Sequence, residues 1–233
     1  MRILLPSFTS LIALFFPRYC VVCHRVLIRT EKITCFHCWS RLPWNRDWEK
    51  SPVAMDQLFW GRCDVLACTY LLVMSKRGAT RKLIHRLKYK GDQDIGFYLG
   101  EYLGAKLRTQ PVYQCSNAIV PVPMSKSKLA QRGYNQAELI ARGISNAMRI
   151  PLQKNWLMRR TQQGTQTRRG RLDRWTHASS DYFCHAIPDH IHRVILVDDV
   201  VTTGATIEAC VKAMREVRDI EIIVVCLALP IRA

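Results

Sequence analysis

The stretch Val194-Ile195-Leu196-Val197-Asp198-Asp199-Val200-Val201-Thr202-Thr203-Gly204-Ala205-Thr206 decides the fold. Residues 194–197 are all apolar, the mark of a short buried strand, and residues 203–217 carry the spacing of a helix that follows a loop of small residues. Working outward, residues 118–122, 220–229 and 65–73 read as three more strands, and residues 78–89, 94–108 and 135–148 as helices. Continuous apolar strands alternating with helices make the expected fold α/β, a parallel sheet flanked by helices. Ligands of such sheets bind off the carboxyl ends of the strands, which is where this stretch puts its polar residues.

Asp198 and Asp199 stand at that end. The loop after them offers what an anion needs: backbone N–H groups, the hydroxyls of Thr202, Thr203 and Thr206, and the positive end of a helix. Two carboxylates cannot serve the same phosphate; they suit hydroxyl groups or a hydrated metal. The expected ligand therefore has a phosphate at one end and a diol beside it, as a ribose 5-phosphate does. A solvated strand end or a helix cap would account for the two acids, but not for the T-T-G-x-T that follows them.

A second constellation lies near the N-terminus. Cys20-Val-Val-Cys23 and Cys35-Phe-His-Cys38 are two C-x2-C knuckles, and four thiolates so spaced suit one tetrahedral Zn²⁺ ion. Residues 25–33 between them are expected to form a hairpin. His24 and His37 are spare donors, expected to be solvated or to sit behind the ligands. The other six of the ten cysteines (63, 68, 115, 184, 210 and 226) stand in apolar settings and read as free, buried thiols, which places the protein in a reducing cytoplasm.

Further bounds come from composition. With 35 Lys+Arg against 18 Asp+Glu the net charge is +17, and 48% of the 233 residues are apolar, so the chain is a basic globular protein and not a disordered one. No run reaches the ~18 apolar residues of a membrane span, and no small-x-small cleavage site precedes Cys20. Leu4, Leu5, Phe8, Leu11, Ile12 and Phe15 recur at helical spacing, which predicts an amphipathic N-terminal helix over residues 1–16 packed on the body.

The 194–206 stretch resembles the phosphoribosyl diphosphate (PRPP) signature of type I phosphoribosyltransferases. Together with the four-cysteine ribbon it resembles the ComF family of competence and DNA-utilisation proteins. Two further blocks are similar to that family's segments: Lys88-Tyr89-Lys90-Gly91, and Val120-Pro121-Val122-Pro123 followed by Arg132-Gly133-Tyr134-Asn135-Gln136. The chain departs from the family pattern where Arg169 occupies an apolar position and His177 replaces an Asn. The residues divide the chain into an N-terminal helix (1–16), a zinc ribbon (17–42) and a connector (43–62), and the resemblance implies a phosphoribosyltransferase-like domain over 63–233. It implies that Asp198 and Asp199 take the ribose hydroxyls, that Val201, Thr202, Thr203, Gly204, Ala205 and Thr206 hold the 5-phosphate, and that Ser125 and Lys126 meet the pyrophosphate. Mg²⁺ would arrive with PRPP, and Zn²⁺ would be structural. Read without it, Lys88 and Lys90 are a solvated helix end, and residues 132–136 a polar turn with Asn135 as the cap of a helix.

Much of the positive charge falls on residues 159–174, which include six arginines. Arg168, Arg169 and Arg171, with Lys88, Lys90 and Arg132, are candidate contacts for pyrophosphate or for the phosphates of nucleic acid. Trp39, Trp44 and Trp48 are candidate stacking platforms for a single strand. Two functions fit these residues. One is a phosphoribosyltransferase acting in DNA uptake or the use of DNA as nutrient, on an acceptor the sequence does not name. The other is a non-catalytic factor handling single-stranded DNA, with a regulatory or vestigial PRPP pocket and with uptake machinery or a helicase as partner.

Overall fold

The computed structural model describes residues 16–46, 53–160 and 181–231. The N-terminal helix expected over 1–16, Trp48 and the arginines at 168, 169 and 171 lie outside the described residues, Phe16 excepted. In chain order the elements are α1 (Phe36–Ser40), α2 (Val53–Asp56), β1 (Ala67–Met74), α3 (Ala79–Tyr89), α4 (Gln93–Leu107), α5 (Pro111–Gln114), β2 (Ala118–Pro121), α6 (Lys126–Arg132), α7 (Gln136–Met148), β3 (Leu157–Arg159), β4 (Tyr182–Cys184), β5 (Arg193–Val200), α8 (Ala205–Arg215) and β6 (Glu221–Pro230).

Four strands form one sheet in the order β1-β6-β5-β2. Every pairing in it is parallel, with Leu196 of β5 opposite Val120 of β2 and Val224 of β6. Strand alternation sorts the apolar run of each strand onto two faces. Ile195, Val197, Ile223 and Val225 pack under α3, α4 and α7, while Val194, Leu196, Val224 and Cys226 pack against α8 and the turn after α2. Both faces are thereby buried, the reason these strands read as unbroken apolar stretches.

Helices α4 and α7 cross closely because their contact is paved with glycine. A Cβ on Gly143 would collide with the carbonyl of Phe97, and one on Gly100 with that of Ile140. The sheet's edges are covered as well. Trp44 bridges antiparallel to Leu72, with Asn45 N donating to Leu71 O at 2.9 Å, and at the other edge Gln153 N donates to Ile119 O at 2.8 Å. The first part of the expected connector is thus an edge segment of the sheet, and the second part holds α2. Such cover leaves no long row of unpaired backbone groups for another chain to join.

All ten cysteines are free. Cys68, Cys210 and Cys226 are buried as expected, and Cys63 and Cys184 half-buried; Cys115 is exposed, contrary to expectation. It closes the four-residue α5 at the surface, where the chain turns toward β2.

Candidate ligand site and metal centre

The Sγ atoms of Cys20, Cys23, Cys35 and Cys38 all lie within 4.8 Å of one another, and those of Cys23 and Cys35 are 3.7 Å apart. A tetrahedron with Zn–S bonds of ~2.3 Å has S···S edges of roughly 3.8 Å, so the residues fit a zinc ion held by four thiolates. Burial pushes the Cys20 thiol up, but N–H groups of Cys23, Cys35 and Val22 outweigh it and hold it down to about 6. Cys38 moves the other way, raised by burial and by the thiols beside it. Zn²⁺ held there would supply the positive charge that lets all four ionise. His24 and His37 are exposed, and the cluster is made of cysteines alone.

One residue central to this centre went unremarked in the sequence. Glu31, 2% exposed, accepts hydrogen bonds from Ile28 N at 2.9 Å, Phe36 N at 2.8 Å and Arg25 Nη2 at 2.9 Å. It pins the loop between the knuckles to the start of α1. The expected hairpin over 25–33 is reduced to a single bridge, Tyr19 with Val26, because Glu31 and the turns around it take the backbone donors instead. Trp39 and Trp44 are not free platforms either. Their rings sit 4.6 Å apart, and Trp39 also packs on Tyr98 and Tyr102 of α4, which fixes the ribbon to the helical face of the sheet.

The second site opens at the carboxyl end of the sheet. Strand β5 runs three residues further than its apolar stretch suggests, to Val200, so Asp198 and Asp199 belong to the strand and leave it on opposite faces. Both nevertheless line one cleft of about 210 Å³. Asp199, 9% exposed, receives Lys88 Nζ at 2.9 Å from the last turn of α3. Asp198 faces the α8 side, near Tyr182. Burial, then the neighbouring charge of Asp199, pushes its carboxyl up to about 7, against the opposing pull of Asp199 N and Lys88.

The far wall carries Ser125, Lys128, Arg132 and Asn135, and the near end Thr206, with Arg159 and Tyr182 of the β3–β4 pair closing it. Lys128 therefore lines the cleft where Lys126 was expected, because Ser125 caps α6 through Lys128 N and turns Lys126 outward to solvent. Neither Lys126 nor Lys90 lines the cleft. Val201 is buried at 2%, and Gly204 is buried in a left-handed turn, with φ +78°. Thr202 lines a separate cavity of about 290 Å³ beside Tyr70 and Leu229. The carboxylates, Thr206, Ser125, Lys88 and Arg132 are thus brought together, whereas none of residues 201–205 lines this cleft. Tyr182 and Lys128 were missed, and Arg159, counted only among the arginines of residues 159–174, reaches the cleft from a strand pair with no periodic signal.

The two lysine- and arginine-bearing blocks meet each other. The guanidinium of Arg132 lies 5.0 Å over the ring of Tyr89, and Tyr134 Oη donates to Leu87 O at 2.6 Å. Asn135 caps α7, accepting from Ala137 N at 3.1 Å and donating to Val122 O at 3.0 Å. The cap is real, and the same block also positions Arg132. Its Nε is buried with no hydrogen-bond partner among the described residues.

A strand end carrying paired carboxylates, a small-residue turn into a helix, and a four-cysteine centre ahead of them define a ribbon-bearing parallel α/β protein with a polar cleft. No family model matches the chain. Competence protein F of Haemophilus influenzae is 32% identical over 139 residues, 58% of this chain and 61% of that protein, so the chain spans less than two thirds of that relative. DNA utilization protein YhgH of Escherichia coli is 29% identical over 199 residues, 81% of this chain and 80% of that protein. Competence protein ComFC of Bacillus subtilis is 22% identical over 203 residues, 82% of this chain and 81% of that protein. A solved structure of the allosteric regulatory enzyme of purine biosynthesis is similar over 61% of this chain and 29% of its own, with 19% identity and a TM-score of 0.41. The chain is thus similar over most of its length to competence and DNA-utilisation proteins, in keeping with its resemblance to the ComF family.

Proposed function

We propose that the cleft binds PRPP with Mg²⁺ and that the protein serves DNA uptake or the use of DNA as nutrient. The observation that carries this is the cleft's polarity: Asp198 and Asp199 at the strand end with Lys88 against Asp199, Ser125, Lys128 and Arg132 on the far wall, and Thr206 at the head of α8. Ribose hydroxyls donate to the two carboxylates, the 201–206 turn receives the 5-phosphate, and the cationic wall receives the pyrophosphate.

On this reading the reaction, where an acceptor is present, breaks the bond from C1 to the pyrophosphate oxygen and forms one from C1 to the acceptor. The transition state carries oxocarbenium character, and the electron pair leaves with pyrophosphate. Mg²⁺ bound to the substrate's phosphates would supply neutralisation of the departing charge. Lys88 and Arg132 add to that neutralisation from fixed positions, which is where preorganised charge counts most. The domain at 63–233 does this work, with the ribbon at 17–42 and the connector at 43–62 as its structural neighbours. The free thiols suit a reducing cytoplasm. No helix among the described residues is long and apolar enough to cross a membrane.

Calorimetric titration of PRPP with Mg²⁺ tests the reading. Wild type is expected to bind, and Asp198→Asn with Asp199→Asn to abolish binding in a folded chain; undiminished binding in the double variant would count against it. The second reading is a single-stranded DNA-handling factor with a regulatory or vestigial pocket, working with uptake machinery or a helicase. It draws on the charge of +17 and on α3, whose Arg81, Lys82 and His85 are exposed. It requires DNA affinity that falls steeply with salt and weakens when Arg168, Arg169 and Arg171 become Ala.

A further inference from the structure

We infer that Arg62 is the positioning residue of the 201–206 turn, holding it in the form that receives a phosphate. Arg62 comes from the turn after α2, remote in sequence from both partners it joins. Its Nη1 donates to Thr203 O at 2.6 Å and to Leu58 O at 2.9 Å. Its Nε and Nη2 both donate to Glu208 Oε2 in the first turn of α8, at 3.0 and 2.5 Å. One planar guanidinium therefore ties the turn's backbone to the helix behind it, which a lysine ammonium cannot do in the same fork geometry.

Why the turn needs a clamp follows from its exposure. Thr202, Thr203, Ala205 and Thr206 are exposed, and only Val201 and Gly204 are buried. Gly204 reverses the chain at φ +78°, and a Cβ there would stand 3.2 Å from Phe59 and 3.3 Å from Leu58 O. The α2 turn is thus packed directly on the reversal that aims the following N–H groups along the start of α8. Because Glu208 and the two carbonyls already take its donors, Arg62 acts through the turn and is not itself the phosphate's ligand. Preorganising a loop lowers the ordering cost of binding, so the clamp enters the affinity without touching the ligand.

For its ligand the inference depends on the PRPP reading, and the test separates the two. Ribose 5-phosphate and pyrophosphate are titrated separately into wild type, Arg62→Ala, Arg62→Lys and Asp64→Ala, and amide hydrogen exchange is followed at residues 202–206. Asp64→Ala is the matched control, since Asp64 ties the same region to the other end of α8 through Arg215 at 3.0 Å. Arg62→Ala is expected to speed exchange in the turn and to weaken ribose 5-phosphate about tenfold, with pyrophosphate changed less than about twofold. Arg62→Lys, a milder change should the alanine variant fold poorly, is expected to fall between, and Asp64→Ala to match wild type.

Unchanged exchange in Arg62→Ala, equal weakening of both ligands, or the same effect from Asp64→Ala would overturn the clamp. A wild type that binds neither ligand would overturn the phosphate reading alone, and the exchange rates would still decide the role of Arg62.

Discussion

Lys88 Nζ stands 2.9 Å from Asp199 Oδ2, joining the end of α3 to the end of β5, while Asp198, one residue earlier, makes no ion pair among the described residues. Two adjacent carboxylates are thereby given different environments. Environments that push two titratable groups apart are how one site assigns two roles. Asp199 is held beside a cation, and Asp198 is held close to the point of taking a proton.

That asymmetry gives a pH dependence with a definite sign. The folded-state value of about 7 for Asp198 lies above its ordinary one, so between ~4 and 7 the folded chain binds more protons than the unfolded chain. Stability of the ligand-free protein is therefore expected to fall as pH rises through that window. Asp198→Asn should raise the Tm near pH 8, and the gain should vanish below about pH 4. Thermal melts across pH check this, and a Tm difference independent of pH would contradict it.

Ligand binding should follow the opposite course. A ribose hydroxyl donates to an ionised carboxylate, so affinity is expected to rise as pH passes through about 7. Lys88→Met removes the cation that favours ionisation, which should weaken binding and move the midpoint to higher pH. Titrations of PRPP with Mg²⁺ at several pH values read both effects.

The ribbon predicts one zinc per chain, lost to a chelator. Glu31 is not one of the four thiol donors, yet it holds the loop between them by three hydrogen bonds. Glu31→Ala is expected to release zinc to a chromogenic chelator faster than wild type does, with the cleft's ligand affinity unchanged. Equal release rates would deny Glu31 its part.

At the helical face, Gly143→Ala should force α4 and α7 apart and cost about 1–3 kcal/mol or more, as overpacking does. Urea unfolding measures it, and zinc content should not change. A neutral result would mean the two helices can separate freely.

Much of this was legible in the sequence because it is local. The buried strands announce themselves as unbroken apolar runs such as residues 194–197, and the cysteine knuckles by their spacing. Asp198 and Asp199 were found because a strand, two acids and a T-T-G-x-T turn are contiguous. Arg62, Glu31 and Tyr182 were not found, since each acts through partners set by tertiary packing and none belongs to a periodic pattern. The same holds for Trp39 and Trp44: an aromatic residue looks alike in sequence whether it is left open or packed on Tyr98 and Tyr102. Lys128 replaced Lys126 in the cleft because the cap at Ser125 sets the phase of α6, a detail of one hydrogen bond.

The most direct test is a crystal structure of the protein with PRPP and Mg²⁺. The account predicts the ribose diol on Asp198 and Asp199, the 5-phosphate in the 201–206 turn, and the pyrophosphate against Lys88, Arg132 and Ser125. A ligand bound with its diol away from the two carboxylates, or a cleft left empty at saturating PRPP, would contradict it.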